Sequence, residues 1–242
     1  MDAWIIILGV IIIIIAFFLI KYYFFTTTSL APKVYLKTPP PDISLNDSLN
    51  PRSILYTFGS WVYVNNFSNA VLYSYNSSTD NPKTQFALIL GGVTISGNVK
   101  GYKNSPVLTA VVNGNSSGAN SMHTITITNN FPIQKWVHVL VSVDTIYADC
   151  YIDGKLVISS PLNPQITNSP SSTPLLSFQQ PTQTLPDIYL TKVTRWPNPL
   201  DPQSVYTEYS AGNGLSQGGN LAVALNISND SGSKNYAIYS NV

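Results

Sequence analysis

Two hydropathy regimes divide the chain. From Ala3 to Ile20, eighteen consecutive positions are apolar, and Lys21 then leads into Tyr22, Tyr23, Phe24 and Phe25. Twenty helical residues cover the ~30 Å hydrocarbon layer of a bilayer, so residues 1–28 are expected to form one transmembrane helix, meeting lipid through residues 3–25. A cleaved signal peptide needs a basic start, a shorter apolar run and a small-residue cleavage site, whereas Asp2 is the only charged side chain ahead of this run. Trp4 at one end and Tyr22 and Tyr23 at the other suit the two membrane interfaces.

Beyond residue 28 the pattern breaks. Residues 29–52 carry Pro32, Pro39, Pro40, Pro41 and Pro51, which predicts an extended Pro-rich spacer holding the rest of the chain off the membrane. From Ser53 the apolar positions alternate, as in half-buried strands: Ser53–Val64 around Trp61, then Leu72–Tyr75, Phe86–Leu90, Val107–Val112 and Thr124–Thr128. Clusters such as Gly91-Gly92 and Asn113-Gly114-Asn115 bound them. Trp136–Ser159 is the clearest passage, with Val137, Val139, Val141 and Val143 on one face and turns at Asp144-Thr145 and Asp153-Gly154. An Asp-Gly pair between β-rich flanks favours a two-residue primed turn, so the passage predicts an antiparallel meander. Residues 160–186 read as a long surface loop and Asp187–Arg195 as a strand. Asp201 is placed to cap a short helix, with Pro202 at its first position. The tail, 213–242, is Gly-rich with one or two short strands, Leu221–Ile227 and Tyr236–Tyr239.

Composition narrows the possibilities. Charged residues make up 10% of the chain and the net charge is +1, so there is no electrostatic footprint for nucleic acid. A single cysteine, Cys150, excludes an intrachain disulfide. Lying in a strand, it reads as a small buried apolar side chain.

Three passages together resemble the concanavalin A-like lectin/glucanase superfamily in its laminin-G-like form. They are FGSWVYV around Trp61, the W-x-H-V…Y-I-D-G-K-L-V run from Trp136 to Val157, and the run from Ile188 to Pro202. The resemblance covers residues 53–212. It implies an all-β domain, a jelly-roll sandwich of two antiparallel sheets, with Trp61 and Trp136 in its core.

No chemistry stands out. Glycosidases of this superfamily use paired carboxylates ~5 Å apart, yet Glu208 is the only glutamate and falls in the short helix. Asp144, Asp149 and Asp153 read as turn or meander residues. His138 reads as a packed strand residue, His123 lies near a Gly- and Asn-rich loop, and neither accompanies a nucleophile motif. One Cys and two separated His give no zinc spacing. Calcium stays open through the resemblance, since members sometimes bind it with loop oxygens, but no acidic loop cluster is visible. The expectation is therefore no catalytic, cofactor or metal residue, and no enzyme.

Lys21, Lys33 and Lys37 follow the apolar run, which places the C-terminal domain on the cytosolic side, and the lone cysteine agrees with a reducing compartment. Six Asn-x-Ser/Thr sequons, at Asn46, Asn66, Asn76, Asn115, Asn226 and Asn229, point the other way. An anchored domain of this kind resembles minor capsid proteins of large icosahedral double-stranded DNA viruses, which link an internal membrane to the capsid shell. That implies a structural protein of the virion with capsid or other lattice partners. The alternative is a lectin-like adhesion module that binds glycan on a cell or virion surface, marked by an exposed aromatic platform.

Overall fold

The computed structural model describes residues 28–76, 84–95, 98–101, 105–114, 122–163, 165–166, 174–180, 185–215, 223–229 and 232–238, with residues 4, 9 and 11–16 of the N-terminal run. The strands are β1 (Thr28–Tyr35), β2 (Ile43–Ser44), β3 (Tyr56–Val64), β4 (Ala70–Asn76), β5 (Thr84–Leu90), β6 (Gly92–Ile95), β7 (Asn98–Gly101) and β8 (Leu108–Asn113). There follow β9 (Met122–Thr128), β10 (Trp136–Val143), β11 (Tyr147–Ile152), β12 (Lys155–Pro161), β13 (Leu175–Ser177) and β14 (Ile188–Trp196), then a closing helix (Pro202–Ser210) and the strands β15 (Val223–Asn229) and β16 (Gly232–Ile238).

Two six-stranded sheets form a sandwich, ordered β1-β14-β3-β10-β11-β12 and β2-β13-β4-β5-β8-β9. Pairing is antiparallel in both, as the jelly-roll expectation requires. Alternation decides what lies between them. Val137, Val139, Val141 and Val143 turn inward from β10, joined by Val62 and Val64, and meet Leu72, Leu88, Leu90 and Leu108 of the second sheet. Each such aliphatic side chain, fully buried, contributes about 1.5–3 kcal/mol. Cys150 is in this core, where burial pushes its thiol up to about 12, so it behaves as a small apolar filler. The Asp-Gly turn joins β11 to β12 with both residues at positive φ, 49° for Asp153 and 74° for Gly154, the primed geometry that matches strand twist. At the preceding turn the Asp144 carboxylate accepts from the N–H groups of Ile146 and Tyr147.

Four expectations are corrected. Residues 29–52 are not a spacer throughout, because β1 pairs with β14 along its length and Ala31, Val34, Leu36 and Leu45 are core residues. Pro32 is compatible because β1 is an edge strand with an irregularity between Ser29 and Ala31, and an edge strand needs only half its backbone donors. Arg195 secures the rest of the segment. Its side chain is fully buried, and Nη1 and Nη2 donate to the carbonyls of Leu49 (2.9 Å) and Asn50 (2.8 Å). Secondly, the expected loop 160–186 contains β13, with Leu176 and Phe178 in the core, a strand too short to show periodicity. Thirdly, β6 and β7 form a hairpin that the sequence reading passed over, packed against β4, β5, β8 and β9. Finally, Trp61 is buried but beneath the closing helix and not between the sheets, and Trp136 is only half-buried on the same outer face, because their neighbours Val62 and Val137 turn inward and successive side chains alternate.

The expected anchor, 1–28, falls largely outside the described residues, among which no helix is long and apolar enough to cross a membrane. Residues 11–16 are helical, and Ile11 to Ile15 are exposed. In the tail, β15 and β16 pair with each other.

Candidate functional site

On the outer face of the first sheet, β10 presents Trp136, His138, Leu140 and Ser142, and β3 presents Thr57, Gly59, Trp61 and Tyr63. The closing helix packs on the middle of this face. It starts as the sequence predicts, with the Asp201 carboxylate accepting from the N–H groups of Gln203 (2.9 Å) and Ser204 (3.0 Å). Val205 packs with Leu140, Tyr151 and Trp196. Gly59 makes room for them, since a Cβ there would stand 3.0 Å from Trp196 Cζ3. In the next row Trp61 lies 5.3 Å from His138 and stacks on Tyr209 at 5.6 Å. Burial pushes His138 down to about 4, with Asp153 opposing, so the imidazole is neutral at physiological pH. The helix stops at Ser210, where Lys192, at φ 48°, donates from Nζ to the carbonyls of Ala211 (3.1 Å) and Gly212 (2.7 Å). A cation at the end of a helix favours that stop.

An aromatic row lies beyond the end of the helix. Tyr35 of β1, Tyr189 of β14, Tyr63 of β3 and Trp136 of β10 are direct cross-strand partners. Their ring centroids are 4.4, 6.4 and 5.4 Å apart along the row, and all four are half-buried. The rings of Tyr35 and Tyr189 are within 8° of parallel, so each gives one face to its neighbour. At one end of the ladder the Tyr35 hydroxyl donates to Asp187 Oδ1 (3.1 Å), and Asn65 Nδ2 donates to Oδ2 (2.7 Å). Partial burial, the Tyr189 hydroxyl and the Asp187 carboxylate push Tyr35 up to about 12, so it remains a donor. Ile133 and Leu185 are exposed in loops at the same end of the sandwich. The sequence reading missed Tyr35, Tyr63 and Tyr189 and put Trp136 in the core. Yet the inward valines at 137 and 139 already imply an outward Trp136.

The residues weighed for chemistry are scattered. Asp144 and Asp201 serve backbone N–H groups, and Asp153 accepts from the His138 N–H (2.9 Å) and pairs with Lys135 (3.7 Å). Asp149 and Cys150 lie in β11, and His123 in β9. Glu208, on the closing helix, is half-buried, and its pKa is raised by that burial against the pull of Lys192. Among the described residues, no three His, Cys, Asp or Glu side chains come together as a metal site.

The laminin-G-type description of the concanavalin A-like lectin/glucanases superfamily matches residues 38–205. The chain belongs to that superfamily. No curated protein matches it. Among solved structures, this superfamily member is similar to the binding domain of Paraclostridial Mosquitocidal Protein 1, with 13% identity, a TM-score of 0.54, and coverage of 74% of this chain and 42% of that one. For the receptor binding domain of botulinum neurotoxin D the values are 11%, 0.52, 74% and 43%. For the heptameric SAP-like pentraxin from Limulus polyphemus they are 15%, 0.52, 77% and 85%. The chain thus spans less than half the length of the toxin domains, and at these identities the likeness is one of fold.

Proposed function

We propose that this chain is a non-enzymatic, membrane-anchored docking module, fixed in lipid through residues 3–25 and engaging a protein partner with the ladder of Tyr35, Tyr189, Tyr63 and Trp136. In its finer form the proposal is a minor capsid protein that links an internal membrane to the shell of a large icosahedral virus, with the sandwich on the cytosolic side. The observation that carries it is the aromatic row where the closing helix ends. Tyrosine-rich surfaces give large contact area at small entropic cost, which suits a protein interface. The row lies at the far end of β1 from Thr28, about 23 Å along the strand for seven steps of ~3.3 Å.

Glycan binding, the alternative, needs free ring faces beside unpaired polar groups. Here Tyr35 and Tyr189 cover each other, and the flanking Asp187 and Asn65 are bonded together. A photoreactive phenylalanine analogue at position 63 tests the proposal in the native membrane-bearing assembly, with position 206 on the exposed side of the helix as control. Protein adducts at 63 and few at 206 are expected. Adducts only at 206 refute the docking face, and retention on immobilised glycan that Tyr63→Ala abolishes establishes the alternative.

A further inference from the structure

We propose that the end of the sandwich opposite the ladder rests on the bilayer itself, with the exposed side chains of Leu49, Ile146 and Tyr147 seated at the lipid interface. The inference depends on residues 3–25 being the anchor, and adds to it a second contact that fixes how the domain stands.

The geometry starts from β1. Only Thr26 and Thr27 separate Phe25 from its first residue. At ~3.5 Å per residue the entry to the sheet lies within about 10 Å of Phe25, the end of the lipid-contacting segment 3–25. There is no length for the domain to stand away. Register then identifies which end faces lipid: Thr28 pairs with Arg195, and the neighbouring strands place Tyr56, Val143 and Tyr147 at the same end. The β10–β11 turn therefore points the same way as the entry of β1. It lies about three strand spacings along the sheet, roughly 15 Å.

The chemistry of that end agrees. Ile146 and Tyr147 are 43% and 48% exposed at the tip of the turn, and Leu49 is 38% exposed in the connection to β3. Nearby, the Asp144 carboxylate accepts from two backbone N–H groups, and that of Asp201 is held in the helix cap. Arg52 and Asp47 are exposed beside them, ionic groups that belong at headgroup depth. Separate apolar points on different turns make no groove for a peptide, but they suit a plane, and the plane is already present where the anchor emerges. Tyrosine at such a point has an apolar body and a polar tip.

The test uses the full chain in phosphatidylcholine vesicles, carrying a nitroxide at Ile146→Cys, at Ile133→Cys on the opposite end, or at Ile12→Cys. Cys150 stays unlabelled because it is buried, with its thiol pushed up to about 12. Collision rates with oxygen and with a soluble nickel chelate are compared. Position 146 should favour oxygen several-fold more than position 133 does. Equal, water-like values at 146 and 133 with a lipid-like value at 12 overturn this inference and leave the anchor standing. A water-like value at 12 overturns both. Spin–spin broadening between labels at 146 replaces the lipid surface with a second copy of the chain and also overturns it.

Discussion

If residues 28–52 are part of the fold, where the chain is cut decides whether the sandwich survives. A chain starting at residue 28 keeps β1, whereas one starting at 38 loses it. The second cut removes three core side chains, Ala31, Val34 and Leu36, which are 5%, 2% and 0% exposed. At ~25 cal/mol per Å² of apolar surface, Val34 and Leu36 contribute about 2 kcal/mol each and Ala31 about half that, together roughly 5 kcal/mol. The cut also bares the edge of β14, where Leu190 and Val193 face the lost strand. A domain stability of ~5–15 kcal/mol leaves little after such a loss. Cutting at 53 adds Leu45 to the loss and takes away the carbonyls of Leu49 and Asn50, stranding the buried Arg195 guanidinium. A buried charge without acceptors costs several kcal/mol more. Urea titration followed by tryptophan fluorescence and circular dichroism should show a cooperative transition for the chain from 28, a much lower midpoint from 38, and no folded baseline from 53. Equal midpoints for the first two would refute the reasoning and restore a tether.

His138 makes stability depend on pH. Its folded pKa of about 4 lies below the ordinary 6.5, so the unfolded chain binds the extra proton first, and stability is full above pH 6.5 and falls as pH drops toward 4. The loss approaches about 3 kcal/mol, and in His138→Phe, followed by urea midpoints from pH 7 to 4, that slope should flatten. Gly59→Ala should destabilise by about 1–3 kcal/mol, read as a lower melting temperature, because the new methyl meets Trp196 Cζ3 at 3.0 Å and Leu140 Cδ1 at 3.4 Å. Chelator should leave the melting temperature of the intact chain unchanged to within a degree or two; a larger drop would reveal a bound cation.

The core strands were legible because their periodicity is strong. Four valines at alternate positions of β10, an Asp-Gly turn and an Asp-Pro helix start each have a single physical reading, and each recurs in the structure. What was illegible is either short or dominated by a local rule. β2 and β13 have two and three residues, below the length at which alternation can be counted. Over residues 29–52 the five prolines exclude a helix or a central strand but not an edge, and β1, with Ala31 and Val34 buried, is an edge strand. The ladder was hidden differently. Tyr35, Tyr63, Trp136 and Tyr189 are spread over more than 150 positions, and only the register of four strands lines them up. The resemblance put both tryptophans in the core, whereas the parity of neighbouring valines assigns them outward, where Trp61 is buried beneath the closing helix.

Edge placement of β1 also bears on how a linker would carry load. In the proposed arrangement lipid holds the chain just before Thr28, and the partner holds the row that ends at Tyr35. Tension between them runs along β1 and its neighbours. Hydrogen bonds of an antiparallel pair lie perpendicular to the strands, so such a pull shears the β1–β14 ladder and shares the load among its bonds, where a pull across the sheet would open them one at a time. The pairing runs the length of the strand, from Thr28 opposite Arg195 to Tyr35 opposite Tyr189. The buried side chains of Val34 and Leu36 resist the same sliding by interlocking with the core. A flexible spacer would transmit position only loosely, whereas in the proposed arrangement a strand built into the sheet would hold the docking face at about the length of β1 from the point where lipid holds the chain.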